Sequence, residues 1–251
     1  MSSNLGSGLL ERGRDAHAET ALRARSSSPL LKRSHARPAL ATPRAVLFDL
    51  DGTLIDTMQV FADVAADVMV RHHCADRARS RVAYLTTSGI PFFQQLELIM
   101  PRDSRNAGAA AEFEIAKLEA TDDVRATDTT LGGLAQLRRL GIATAISSNN
   151  FQAQVDKFIS HCPVEIDLAL GFGDGLAKGE SHFDRACDVF DCTRDALVFV
   201  GDSIADAELA RSGGVRFVAR LGTFEARAFQ AVLPDAPAID EISELVRLFV
   251  G

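Results

Sequence analysis

The sequence contains no apolar run approaching the roughly 18 residues of a membrane span, which excludes a transmembrane helix. Its four cysteines, Cys74, Cys162, Cys187 and Cys192, form no CxxC pair and follow no secretory signal, so neither a zinc site nor a disulfide framework is indicated. Reduced thiols and a cytoplasmic location are expected. Basic residues are outnumbered: a net charge of −7 gives no basic stripe and argues against a nucleic-acid partner. Lysine is scarce, with Lys32, Lys117, Lys157 and Lys178 the whole set. The run His72-His73-Cys74 carries metal-binding residue types, but adjacent side chains on a helix diverge and no partner set accompanies them. No internal repeat is present.

What remains is the composition of a globular protein: 251 residues, 47% of them hydrophobic, enough for one domain or for a core carrying a smaller insertion. Residues 1–43 stand apart. They are rich in Ser, Ala and Arg, and Arg23, Arg25, Lys32, Arg33 and Arg37 follow the last acid, Glu19, so they read as a disordered N-terminal extension. An Arg- and Ser-rich leader leaves an organelle address open. Glu11, Asp15 and Glu19 are more acid than such peptides carry, which favours a tail without a targeting role.

Folded structure is expected from Arg44, where Arg44-Ala45-Val46-Leu47-Phe48-Asp49 is a continuous apolar run ending in acid, the pattern of a strand buried on both faces. Similar runs occur at residues 142–147, 166–170, 197–200 and 215–219, separated by stretches with helical spacing. Strands alternating with helices imply an α/β fold, a Rossmann-like parallel sheet covered on both faces. Between residues 57 and 126 the rhythm breaks into helices only, at 59–72, 77–85, 91–100 and 106–121, with breaks at Gly89-Ile90-Pro91 and Pro101. That stretch is too long for one crossover helix. It reads as an all-helical cap domain, residues 57–126, inserted into a core made of residues 44–56 and 127–251.

Four segments carry chemistry. Asp49-Leu50-Asp51-Gly52-Thr53 follows the first strand, at the carboxyl edge where open α/β sheets bind ligands, and Gly52 permits a tight exit turn. Ser147-Ser148-Asn149-Asn150 ends the second strand in neutral donors, which suit phosphate oxygens and equally suit the N-cap of a helix starting near Phe151. Lys178 is the one lysine on a glycine-rich loop between core elements, where a fixed cation can face anionic oxygens. Gly201-Asp202-Ser203-Ile204-Ala205-Asp206 ends another apolar strand, with Asp202 at its tip and Asp206 one helical turn further on.

In this order and combination the four segments resemble the motifs of the haloacid dehalogenase superfamily, from Arg44 to the C-terminus. Gly179 stands where the family often has proline, and either Ser147 or Ser148 can be the hydroxyl of the second motif. The helical insertion resembles the cap subclass that includes phosphoglycolate phosphatases, β-phosphoglucomutases and dehalogenases. The resemblance implies that Asp49 is the nucleophile and Asp51 the general acid and base. It further implies that Ser148, Asn149 and Lys178 bind phosphate, while Mg²⁺ is held by Asp49, the Asp51 carbonyl and Asp202 with Asp206 behind. It implies a phosphatase acting on a small phosphorylated metabolite, as a monomer or small homo-oligomer without nucleic-acid or membrane partners. A phosphomutase is the alternative, for which Arg71, Arg77, Arg79, Arg81 and Lys117 are cap cations able to meet a second phosphate. Asp51 disfavours carbon-attacking dehalogenase chemistry, and the full set of acids disfavours a silent regulatory module. Residues 86–89 are expected to face the site, with Tyr84, Phe92 and Phe93 either packing a leaving group or filling the cap core.

Overall fold

The structure, a computed structural model, describes residues 40–250. The extension expected at residues 1–43 falls on residues 1–39, which lie outside the described residues. Residues 40–43 are held by the fold: the Leu40 N–H donates to the Leu248 carbonyl at 2.7 Å, the Thr42 hydroxyl reaches the Phe249 carbonyl, and Pro43 is buried.

Six parallel strands form one sheet: β1 (Ala45–Phe48), β2 (Ala143–Phe151), β3 (Leu168–Phe172), β4 (Leu197–Gly201), β5 (Arg216–Arg220) and β6 (Ala238–Ile239). Their order is β3-β2-β1-β4-β5-β6, which sets β1 between β2 and β4. The strand of unbroken apolar residues is therefore central, with both faces covered. Val46 and Phe48 point to one apolar cluster with Leu134, Leu137, Ile146 and Phe249, while Ala45 and Leu47 point to the other with Phe183, Phe199, Phe217 and Phe229. The alternation along β1 decides which residues feed which layer. Helices α5 (Asp128–Arg139), α6 (Gln152–His161) and α10 (Leu245–Phe249) serve the first layer; α7 (Glu180–Phe190), α8 (Ile204–Gly213) and α9 (Ala226–Val232) serve the second.

Between β1 and α5 the chain makes four helices and no strand: α1 (Met58–His73), α2 (Arg77–Thr86), α3 (Phe92–Ile99) and α4 (Asn106–Ala120). They close over an apolar cluster of their own, built on Phe61, Ala65, Tyr84, Phe92, Leu96 and Phe113. The described residues, 40–250, nevertheless belong to one compact unit. The arginines of this insertion are engaged on its outside: Arg71 pairs with Glu112, Arg77 with Asp63 and Asp67, and Arg81 with Asp63, while Arg79 is exposed.

Two features differ from the sequence expectation. β2 runs through Ser147-Ser148-Asn149-Asn150, residues that equally suited a helix N-cap, up to Phe151 just before α6, because its backbone pairs on with β3 after a register shift between Ser147 and Phe151. β6 is two residues long, too short to leave a periodic signature.

The adjacent glycines of α5 give opposite expectations. A Cβ on Gly133 would sit 2.7 Å from the Ser243 backbone nitrogen, whereas one on Gly132 meets nothing within 4 Å. Gly133→Ala is expected to lower unfolding free energy by roughly 1–3 kcal/mol through overpacking. Gly132→Ala should raise it by about 0.5–1 kcal/mol by relieving the helix of a flexible residue. Urea unfolding of the two variants checks the signs.

Candidate active site

The carboxyl ends of β1, β2 and β4 and the loop before α7 converge on a cavity of about 110 Å³. Asp49 leaves β1 with its N–H donating to the Val200 carbonyl at 2.9 Å, so the ladder with β4 extends to the acid and fixes its direction. Its side chain is buried, with the Lys178 ammonium 2.7 Å from Oδ1. The same ammonium lies 2.6 Å from Asp206 Oδ1. Lys178 thus bridges two acids delivered by different motifs.

Asp206 is held twice over. In the capping box of α8 its Oδ2 accepts from the Ser203 N–H at 3.2 Å and the Ser203 hydroxyl at 2.7 Å, while the Ser203 hydroxyl accepts from the Asp206 N–H. Asp202, at the tip of β4, accepts a hydrogen bond from the Thr223 hydroxyl. Oxygens of Asp49, Asp202 and Asp206 lie within 4.8 Å of one another, the one such cluster among the described residues.

Gly52 makes this crowding feasible. It adopts a φ of +79°, and a Cβ there would collide with the Asp202 carboxylate and approach Met58 Cγ to 2.7 Å. The turn then returns Asp51 to the cavity, where its Oδ1 accepts from the Thr57 hydroxyl at 2.8 Å and its Oδ2 from Asn150 Nδ2 at 2.6 Å. Both oxygens are oriented by donors, one from the start of the insertion and one from β2.

Burial dominates the electrostatics. It drives the Asp49 carboxyl well above the usual range, against the pull of Lys178 and with the repulsion of Asp206 and Asp202. Burial, followed by repulsion from Asp206, takes Asp202 up to about 7, with the Thr223 hydrogen bond and Lys178 acting the other way. For Lys178 burial works downward, but Asp206 and Asp49 outweigh it and hold the ammonium above its ordinary value. Three buried carboxylates facing one ammonium leave an excess of about two negative charges when ionised. An all-oxygen set with that deficit fits a hard divalent cation.

The two serines differ in position. Ser147 is fully buried behind the sheet edge, its Oγ 2.9 Å from His182 Nδ1, and His182 Nε2 faces the Gly171 carbonyl at 3.2 Å. Ser148 lines the cavity with Asn149, and its Oγ accepts from the Asn150 N–H at 3.1 Å. The lining Asn149 also donates to the Gly89 carbonyl at 3.2 Å, tying the insertion to the sheet edge.

From the insertion, Gly89, Ile90, Pro91, Tyr84, Phe92 and Lys117 reach the cavity. Residues 86–88, expected there, do not line it: the Thr86, Thr87 and Ser88 hydroxyls bond carbonyls of α2. Tyr84 and Phe92 belong to the insertion core as well as lining the cavity, whereas Phe93 is exposed. Of the five cap cations, Lys117 alone lines the cavity, paired with Glu114 at 2.9 Å and Asn150 Oδ1 at 3.0 Å. Thr57, Thr223 and His182 were not singled out by sequence. They stand outside the motif spacing, and only the fold brings them to the acids. His72 and His73 bond Glu112 and Asn106, and Cys74 is exposed, so this cluster gathers no metal set.

The sequence profile described as haloacid dehalogenase-like hydrolase matches residues 46–220. A phosphoglycolate phosphatase of Rhodobacter capsulatus is 25% identical over 220 residues, covering 82% of this chain and 97% of that protein. Among solved structures, a hydrolase from Pseudomonas syringae superposes with a TM-score of 0.69 at 15% identity, over 82% of this chain and 97% of its own. CbbY from Rhodobacter sphaeroides, in complex with xylulose-(1,5)bisphosphate, does so with a TM-score of 0.63 at 18% identity, over 83% and 100%.

Burial holds His182 near a pKa of about 4, the Gly171 carbonyl raising it and Lys178 lowering it. A free histidine titrates near 6.5, so between pH 6.5 and 4 the unfolded chain binds a proton that the native state refuses. Stability from this residue is present above that window and lost as pH falls through it, by up to about 3 kcal/mol. Denaturant unfolding at pH 7 and pH 4.5 should show a larger loss in the wild type than in His182→Gln. An equal loss would mean that His182 does not titrate in this way.

Proposed function

The chain belongs to the haloacid dehalogenase-like hydrolase family, and from that premise we propose that it is a Mg²⁺-dependent phosphatase. Its substrate is a small phosphate monoester, of sugar phosphate, phosphoglycolate or nucleotide kind, cleaved through an aspartyl-phosphate. The observation that carries this reading is the buried Asp49 carboxylate at the sheet edge, 2.7 Å from Lys178, sharing a cavity with Asp51. The named activities of relatives, phosphoglycolate hydrolysis in Rhodobacter capsulatus among them, support the reaction class.

In this reading an oxygen of Asp49 attacks phosphorus, forming the acyl phosphate while the ester P–O bond breaks. Asp51 delivers its proton to the departing alkoxide and then takes one from the water that attacks the acyl phosphate. That second step releases inorganic phosphate and regenerates the Asp49 carboxylate. The Lys178 ammonium, the Ser148 hydroxyl and the Asn149 amide hold the transferring oxygens where charge develops. Thr57 and Asn150 keep the Asp51 carboxyl in one plane, so that one oxygen at a time is offered to the leaving group. Mg²⁺, held by Asp49, Asp202 and the Asp51 carbonyl with Asp206 behind, would offset the repulsion between an anionic nucleophile and an anionic ester.

Hydrolase outweighs mutase on one observation. A retained bisphosphate intermediate needs a second anion site, and Lys117, the single cap cation at the cavity, is already paired with Glu114. Asp51 weighs against dehalogenation, and the presence of all four acids weighs against a non-catalytic module. No helix among the described residues is long and apolar enough to cross a membrane. A cytoplasmic enzyme, monomeric or a small homo-oligomer, is consistent with that.

Asp49→Asn is expected to reduce phosphate release from a panel of phosphomonoesters to background without loss of fold, and to lack the phosphoryl-protein adduct that mass spectrometry is expected to detect in the wild type. Activity within tenfold of wild type would exclude the covalent route.

Asp51→Asn should cost about 10² to 10⁴ in rate for an alkyl phosphate and much less for p-nitrophenyl phosphate, whose leaving group needs no proton. Equal losses on both esters would remove Asp51 from the leaving-group step. Asp202→Asn should instead raise the Mg²⁺ concentration for half activity, measured by titration of the metal-free enzyme.

A further inference from the structure

Beside the catalytic cavity lies a groove of about 840 Å³ between the insertion and the sheet edge. The two meet at Gly89, Asn149 and Lys178, which line both. The inner cavity is far below the roughly 300–1,000 Å³ of a small-molecule site, and the groove is within that range. A phosphoryl group fits inside, and the adjoining groove offers room for the rest of a larger ester.

The groove walls are aromatic on both sides. Phe93 of α3 stands on the insertion side; Phe151 and Phe172, at the ends of β2 and β3, stand on the core side. All three are about half exposed, at 46%, 53% and 48%. Phe151 and Phe172 lie edge to face with ring centroids 5.9 Å apart. Single exposed apolar residues need no explanation, but three rings lining one concavity that opens on a catalytic site mark a ligand groove. Glu208 and Arg211 of α8 lie on the flank of the groove, and Lys178 and Glu114 line it where it meets the cavity.

Phenylalanine rings offer a sugar hydroxyl no hydrogen-bond partner. They offer a planar ring two π faces and an edge. We propose that the groove stacks the planar aromatic part of the leaving group, so that the preferred substrate is a phosphate monoester of an alcohol carrying such a ring, nucleoside monophosphates being the case in point. This rests on the phosphatase reading above and narrows it. Phe93 is then a specificity-determining residue, closing on the ring from the side opposite Phe151 and Phe172.

The test compares kcat/KM for a purine nucleoside 5′-monophosphate with that for ribose 5-phosphate, using the full chain with Mg²⁺. The two esters share phosphate and ribose and differ only by the base. The nucleotide should be preferred by about 5- to 150-fold, the range that base–aromatic stacking supports. Phe93→Ala and, separately, Phe172→Ala should lower that ratio at least about fivefold, and Phe93→Tyr should restore it. A wild-type ratio near one, or a ratio indifferent to both alanine variants, overturns the proposal while hydrolysis of ribose 5-phosphate leaves the phosphatase reading standing. If light scattering shows that Phe93→Ala dissociates an oligomer without changing the ratio, the groove is an interface between copies and the proposal fails. If no phosphomonoester in the panel is hydrolysed, the phosphatase reading itself falls and takes this one with it.

Discussion

The buried bridge of Lys178 between Asp49 and Asp206 is the interaction on which the site depends. Removing one member of such a group leaves uncompensated charge in a low-dielectric setting, at about 3–5 kcal/mol. Three segments far apart in sequence are therefore locked to each other: the end of β1, the loop before α7 and the first turn of α8. Asp206 serves both the helix cap and the bridge, so α8 cannot be repositioned without disturbing Lys178.

The sheet order is what permits the bridge. With β1 flanked by β2 and β4, the chain ends that carry Asp49, Ser148 and Asp202 are neighbours at one edge. The apolar run of β1 and the acid that ends it are two consequences of one placement: a central strand must be apolar along its length, and its carboxyl end opens where ligands can approach. Burial follows, and with it the raised carboxyl groups of Asp49 and Asp202 that a cation must compensate.

The insertion contributes little charge to the site and much shape. Arg71, Arg77 and Arg81 pair with surface acids, and what the insertion presents to the cavity includes a glycine-bearing loop, aromatic rings and the Lys117–Glu114 pair. Gly89 approaches the core so closely that a Cβ would strike Ser203, and Asn149 binds its carbonyl. In the proposed reaction, phosphate handling falls to the core and discrimination among leaving groups to the insertion and the groove beside it.

The strands, the helical insertion and the positions of Asp49, Asp51, Lys178, Asp202 and Asp206 were legible in the sequence. Buried parallel strands must be continuous apolar runs, and chemistry at their carboxyl ends appears as polar residues where each run stops. The extension of β2 past Ser147 was not legible, because backbone pairing with β3 overrode a local pattern that reads as a helix cap. Nor was the burial of Ser147 against His182, since adjacent strand residues face opposite sides and only packing shows which side holds His182. Thr57 and Thr223 escaped for the same reason: a hydrogen-bond donor has no periodicity, and its partner is set by tertiary approach. The groove lined by Phe93, Phe151 and Phe172 belongs wholly to the tertiary structure, because three rings separated by up to 79 positions in the chain (172 − 93) share a surface only after the insertion has closed on the sheet edge.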